Sequence, residues 1–299
     1  WSSKLLVLEM LNIRIFDVDY GFCAAVHTSD HRRILIDCGY SHTRGGFNPT
    51  RYFLDNGIRR LNYLIMPTLI EGHLAGFYDL ISNSFNNCFS IEHLLMNPSI
   101  DADSLPELMI RNFSLSHHEA LKVLSDVCQR CGNVERTIHL GEVELSFFWN
   151  TYPEFLDFHN LSLVTFLSYE GFKVIFPGNL KTAGWQALLR NHKFREQLRQ
   201  VNLFVASNHG QADGYCLEVF NYCNPDLIII SNDHHKLISP TVVHQYEQHI
   251  QAEQKGVGRS NVLTTSTTGP IAIVKALSGS VQVITRRSKI YPLKLGRVY

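Results

Sequence analysis

Leu64-Ile-Met-Pro-Thr-Leu-Ile-Glu-Gly-His-Leu-Ala-Gly76 decides how the chain is read. The segment opens as an apolar run, breaks at a polar turn, and passes into Phe77-Tyr-Asp-Leu-Ile81, whose apolar spacing is helical. Strand, loop and helix start follow one another within a few residues. What the loop carries therefore settles whether the scaffold around it has chemistry to perform.

Upstream, Ile13-Arg-Ile-Phe-Asp-Val18, Phe22-Cys-Ala-Ala-Val-His-Thr28 and Arg33-Ile-Leu-Ile-Asp-Cys38 read as strands, the last two joined by a turn at Asp30-His-Arg32. Asn48 to Gly57 reads as a helix, with Pro49 in the first turn, where a missing N–H costs nothing, and Gly57 at the close. Leu61–Met66 feeds the loop, and Ile91–Met96 is the next strand. Downstream, the segments 143–149, 160–167, 172–176, 203–206, 227–230, 262–265, 271–274 and 281–284 read as strands, with helices over 183–190, 215–222 and 241–251. Strands first, then strands alternating with helices, and the order repeated, predict an α/β protein. Two mixed β-sheets face each other with helices outside, a four-layer αββα sandwich.

With 299 residues, 45% of them apolar and 18% charged, the chain can bury a large core. Lys plus Arg and Asp plus Glu number 27 each, which argues against a strongly basic nucleic-acid surface and leaves only local patches such as Arg286, Arg287, Lys289 and Lys294. Seven cysteines, an odd number without a framework, fit a reducing compartment, so a cytoplasmic location is expected. No apolar run approaches the roughly 20 residues of a membrane span, and no membrane partner is expected. Residues 1–9 read as a leader or added residues before Met10, and 10–299 as one domain with a helical insertion over 98–135.

Inside that insertion, Ser104 and Glu107 have the spacing of a capping box, and Ser116 opens a second helix. His117 and His118 stand at the opposite end of this helix from Cys128 and Cys131, about 15 Å away at about 1.5 Å per residue, so the four do not share a zinc ion.

Several blocks carry a resemblance: Phe16-Asp-Val-Asp-Tyr-Gly-Phe-Cys23, Leu35-Ile-Asp-Cys-Gly39, His73-Leu-Ala-Gly76, Asn160-Leu-Ser-Leu-Val164, Phe176-Pro-Gly-Asn-Leu180 and Ala206-Ser-Asn-His-Gly210. Their order and spacing resemble metallo-β-lactamase-fold hydrolases, in particular the branch with the hydrolase domain of DNA-uptake competence proteins and related bacterial stand-alone metallohydrolases. The resemblance runs from about Ile13 to about Ile284. It implies one or two zinc or manganese ions that lower the pKa of a bound water, held by His, Asp or Asn from several strand ends. At the main motif, His-x-His-x-Asp-His in that family, this chain has Thr68, Ile70, Gly72 and His73. Where the family has a bridging Asp, Asn179 follows Gly178; where it often reads Ser-His-His-Gly, the chain has Ser207-Asn208-His209-Gly210. Two nitrogen ligands remain, His73 and His209, with His159 a candidate third. The register leaves open whether His209 is the ligand.

Other residues join the candidate pocket. In the resemblance, Asp37 supports the metal loop; Asp233 and His234 follow a buried strand at its C-terminal end, where open α/β folds place sites. Lys181 is a cation beside the vacated metal position, suited to an anionic ligand. Ser207 and the run Thr264–Thr268 have no nucleophile elbow or paired base, and no glycine-rich phosphate loop is present. The expectation is a catalytically degenerate metallo-β-lactamase-like protein with no catalytic residue and no cofactor. It would bind a ligand or protein: an active relative, a second copy in a homo-oligomer, or a small anionic or nucleotide ligand. The alternatives are a metal-dependent phosphodiesterase or nuclease with one zinc or manganese ion, and a nucleotide or oligonucleotide sensor.

Overall fold

A computed structural model describes residues 9–19, 21–41, 46–85, 89–112, 128, 134–232, 238–250, 261–286 and 290–293. In chain order the strands and helices are β1 (Glu9–Ile15), β2 (Ala24–Thr28), β3 (Arg33–Ile36), α1 (Pro49–Asp55), β4 (Arg60–Ile65), α2 (Glu71–Phe85), β5 (Ser90–Leu95) and α3 (Leu105–Asn112). The second half holds β6 (Thr137–Leu140), β7 (Val143–Phe148), β8 (Val164–Tyr169), β9 (Phe172–Phe176), α4 (Thr182–Leu188), α5 (His192–Leu198), β10 (Leu203–Val205) and β11 (Leu227–Ile230). It closes with α6 (Pro240–Glu247), β12 (Val262–Thr264), a helical turn α7 (Thr265–Thr268), β13 (Ile271–Ala276), β14 (Val281–Thr285) and β15 (Ile290–Leu293).

Among the described residues, one sheet has eight strands in the order β15-β14-β13-β1-β2-β3-β4-β5, and the other has seven in the order β12-β11-β10-β9-β8-β7-β6. Both are mixed. In the first, β3, β4 and β5 run parallel and the rest antiparallel; in the second, β9 to β12 are parallel and β6 to β9 antiparallel. Alternation along the strands sorts side chains into layers. Ile13, Ile15, Val26 and Ile36 meet Leu145, Leu167, Val174 and Val205 between the sheets. Ala25, Leu35 and Leu64 face outward under Phe53 of α1 and Phe77 and Leu80 of α2, while Phe166, Ile175 and Phe204 face Trp185 of α4 and Phe194 of α5. These apolar layers make the predicted αββα sandwich.

Several local readings change. Helix α2 begins at Glu71 and runs to Phe85, where the apolar spacing alone predicted a loop through residue 76 and a helix over 77–81. Gly72 and Gly76 weaken the helical signal, but a Cβ at Gly76 would lie 2.1 Å from the Cys38 carbonyl oxygen. The glycine is there because helix and strand end touch. Residues 160–161 end a turn, 162–163 follow it without strand pairing, and β8 starts at Val164; the Asn160 side-chain oxygen accepts from the backbone N–H groups of Lys181 (3.1 Å) and Gly184 (3.0 Å), at the start of α4. Residues 217–221 form only a 3₁₀ turn where 215–222 reads as a helix.

Ser104 bonds back to Asp101, and Glu107 turns to Arg111 and the Tyr152 hydroxyl, so the capping box does not close. Helix α5 and strands β6 and β15 had no counterpart in the sequence reading. The second insertion helix, His117, His118, Cys131, Asp233 and His234 lie outside the described residues; Cys128 lies with its Sγ 3.8 Å from the Met96 sulfur. No helix among the described residues is long and apolar enough to cross a membrane.

His27 pairs across the sheet with Asn12 and Arg33 beneath α1. Burial, then the Arg33 and Arg14 guanidiniums, push its pKa from 6.5 down to about 4. Below 6.5 the unfolded chain takes up a proton that the folded chain refuses, so stability is fully present above pH 6.5 and is lost as pH falls toward 4. The loss is on the order of 3 kcal/mol. Urea denaturation between pH 7.5 and 4.5 should show this slope, and His27→Gln should flatten it; an unchanged slope in the variant would remove His27 as its source.

Candidate functional site

The site lies at the upper ends of the strands, where loops from both sheets converge. Asp37 follows β3 in the left-handed region (φ 66°), and its peptide N–H donates to the Ile65 carbonyl oxygen at 2.8 Å. That conformation turns its side chain inward: one carboxylate oxygen accepts from the Cys38 N–H at 2.7 Å and the other from His73 Nδ1. His73 sits in the first turn of α2 and is 2% exposed; Asp37 is fully buried. Burial pushes the Asp37 carboxyl pKa up, against the pull of His73 and the Cys38 N–H.

From the second sheet, Gly178 (φ 65°) turns the chain after β9 and Asn179 follows, its N–H donating to Ser162 Oγ at 2.9 Å. After β10, Asn208 (φ 48°), His209 (φ 55°) and Gly210 (φ 70°) are all left-handed. Such conformations cost free energy in non-glycine residues and persist only where surroundings enforce them. Here Ser207 Oγ donates to the Leu180 carbonyl (2.6 Å), the Asn208 N–H to the Gly178 carbonyl (3.2 Å), and the Asn208 amide to Asp213 (2.8 Å). The result aims His209 inward and Asn208 away.

His73 Nε2 and His209 Nε2 are 3.2 Å apart, and the Asn179 side-chain nitrogen lies 3.2 Å from the first and 3.4 Å from the second. The far nitrogen of each ring fixes the tautomer: His209 Nδ1 faces the Ser231 carbonyl at 3.2 Å, which only accepts, and His73 Nδ1 faces Asp37. With each Nδ1 turned to an acceptor, each Nε2 faces the Asn179 amide nitrogen, which can only donate.

Of the remaining candidates, Thr68 is buried with its hydroxyl donating to the Phe158 carbonyl at 3.0 Å, and Ile70 packs on the core under α2. The carbonyl oxygen of Gly72 lies so close to Gly21 that a Cβ there would stand 2.8 Å away. His159 stands apart, 3.8 Å from Asp157, with its pKa lowered by burial and then by the Lys181 ammonium. Lys181 Nζ lies 3.4 Å from Asp213, so its charge is met there. The sequence reading missed Ser231, whose hydroxyl is buried without a hydrogen-bond partner among the described residues. It lies at the end of β11, two residues short of the candidate Asp233, and a strand-end argument reaching back to that Ser would have found it. Ser231, Asp37, Asn179 and His209 line a cavity of about 20 Å³. That is room for a single water.

A zinc or manganese ion is implied by the resemblance, and these residues do not fit a hydrolytic centre. Among the described residues, no three His, Cys, Asp or Glu side chains converge as a metal site. The nearby carboxylate is taken by His73, and the third group at the cluster presents an amide nitrogen. Hydrolytic sites need a ligand set with an open position for water.

The solved structures most like this one include the diiron β-hydroxylase CmlA from Streptomyces venezuelae (TM-score 0.51, 12% identity, 86% of this chain and 53% of that chain) and a mutant CmlA β-hydroxylase (0.54, 12%, 88% and 54%). A diphosphatase of the PhnP family also matches (0.47, 11%, 90% and 99%). The chain spans about half the length of the CmlA structures, and at these identities the likeness is one of fold, the metallo-β-lactamase fold. No family model and no curated protein matches the sequence.

Removing His73 should leave Asp37 buried without its partner. His73→Ala is expected to cost about 3–5 kcal/mol in chemical denaturation. Combined with Asp37→Ala it should cost about 1–3 kcal/mol less than the two single changes summed. Strict additivity would show that the pair is not coupled.

Proposed function

We propose that this metallo-β-lactamase fold is catalytically silent and serves as an interaction module, recognising a protein partner through its surface. The observation that carries this reading is the commitment of Asp37. Among the described residues it is the carboxylate at the centre, and His73 and the Cys38 N–H occupy its oxygens. A hydrolytic reaction needs an activated water and a group to take its proton. Neither imidazole has a free face for that task, since each Nε2 is directed at the other ring and at Asn179.

The vacated motif positions support the same reading. Thr68 and Asn208 spend their polar groups on loop-to-loop bonds, to Phe158 and Asp213. The cavity of about 20 Å³ is far smaller than the roughly 300–1,000 Å³ of a small-molecule pocket. This moves the expected binding from that cavity to the exterior, and the cavity itself has no room for a nucleotide. The partner class is protein: a catalytically intact relative of the same fold, or a second copy.

Purified protein should not hydrolyse bis(p-nitrophenyl) phosphate above buffer with zinc or manganese present. Metal-stimulated turnover that disappears in His73→Ala would sink the silent reading. Light scattering after size exclusion, alone and mixed with an intact relative, reads the partner: a monomer in both would remove these two partners.

A further inference from the structure

We infer that the side-chain amide of Asn179 takes the structural place of a metal ion, so that the centre closes without one. This goes beyond catalytic silence, because it concerns what holds the two sheets' loops together and is read from stability instead of turnover.

The argument starts from the two rings. With both Nδ1–H groups committed to Asp37 and the Ser231 carbonyl, two Nε2 lone pairs converge at 3.2 Å. Lone pairs at that distance repel unless an electron-pair acceptor stands between them. An amide NH₂ carries two N–H donors, while an ionised carboxylate carries none. The Asn179 nitrogen is within 3.2 and 3.4 Å of the two Nε2 atoms. Because the three nitrogens form a nearly equilateral triangle, each N–H bond is bent and weaker than a straight one. Both lone pairs nevertheless gain a partner.

The amide is also held in place from behind. Its backbone N–H is tied to Ser162 Oγ, and a Cβ on the preceding Gly178 would fall 2.9 Å from the same oxygen. Asn179 is 4% exposed and His73 2%, so neither can turn to bulk water instead. The bond network then runs from Asp37 through His73, Asn179 and His209 to Ser231, joining the ends of β3, β9, β10 and β11 and the start of α2.

An aspartate at this position has nearly the same shape and the opposite hydrogen-bond sense. Asn179→Asp would set a carboxylate against two lone pairs, an all-acceptor set that needs a cation, or an added proton where the pH supplies one. The test is therefore run at pH 8. The inference therefore makes this substitution a switch from metal-independent to metal-dependent stability.

The test is the melting temperature of wild type, Asn179→Asp and Asn179→Ala, each in EDTA and in excess zinc. Wild type should melt within about 1 °C in both, since a ligand shifts Tm only if it binds the native state. Asn179→Asp should fall by about 4 °C or more in EDTA and recover with zinc, and Asn179→Ala should fall in both without recovery. Zinc raising the wild-type Tm as much as that of Asn179→Asp would overturn the inference, as would Asn179→Asp matching wild type in EDTA. Should Asn179→Asp fail to fold, calorimetric titration of wild type with zinc decides: stoichiometric binding overturns the inference and no binding heat supports it. Turnover in the phosphodiester assay would instead count against catalytic silence, so the two failures are separable.

Discussion

Asp37 and His73 are both sealed from water, and each makes the other tolerable there. A carboxylate alone in that position would carry an uncompensated desolvation cost, and an imidazole alone would lose a donor's partner. Together they fix the ring's tautomer, and the tautomer fixes which nitrogen faces the opposite sheet. The direction of His73 Nε2 then sets what His209 and Asn179 must supply. The pair is thus the first step of a sequence that crosses from one sheet to the other.

Backbone geometry makes the crossing possible. Asp37, Asn208 and His209 all hold left-handed conformations that ordinary side chains avoid. Each is enforced by bonds at its flanks: the Cys38 N–H for the first, and Gly178 and Asp213 for the other two. Close approach matters as well, because α2 can bring His73 to Asp37 only where Gly76 lets the helix lie against the Cys38 carbonyl. Strain and contact at these points serve one end, the meeting of three side chains from separate loops.

How much of this the sequence discloses depends on the range of the interaction. The sandwich is legible because its signal is local and repeated: apolar alternation in 143–148 and the buried run Leu227–Ile230 recur as strands of the second sheet. His73, His209 and Asn179, whose side chains meet, could be named as candidate positions from ordered blocks of sequence. Their mutual orientation could not, since it rests on φ values and on bonds such as Asn208 to Asp213. Helix α5 went unread although Asn191 caps it, its side chain accepting from the Lys193 and Phe194 N–H groups, because it follows α4 with no strand between. Ser231 was missed for a different reason: the strand-end argument stopped at Asp233, two residues further on, and the cavity beside the serine is what gives it meaning.

The centre keeps a closed set of internal contacts. The reason lies in what burial demands of polar atoms. Once Thr68 bonds to Phe158 and Asn208 to Asp213, those loops are satisfied among themselves, but the two imidazoles still face each other behind the protein surface. Replacing one of them would strand Asp37 or the Ser231 carbonyl. Keeping both requires a donor beside them, and the Asn179 amide provides one. The amide at Asn179 and the two facing histidines are therefore two sides of one hydrogen-bond requirement.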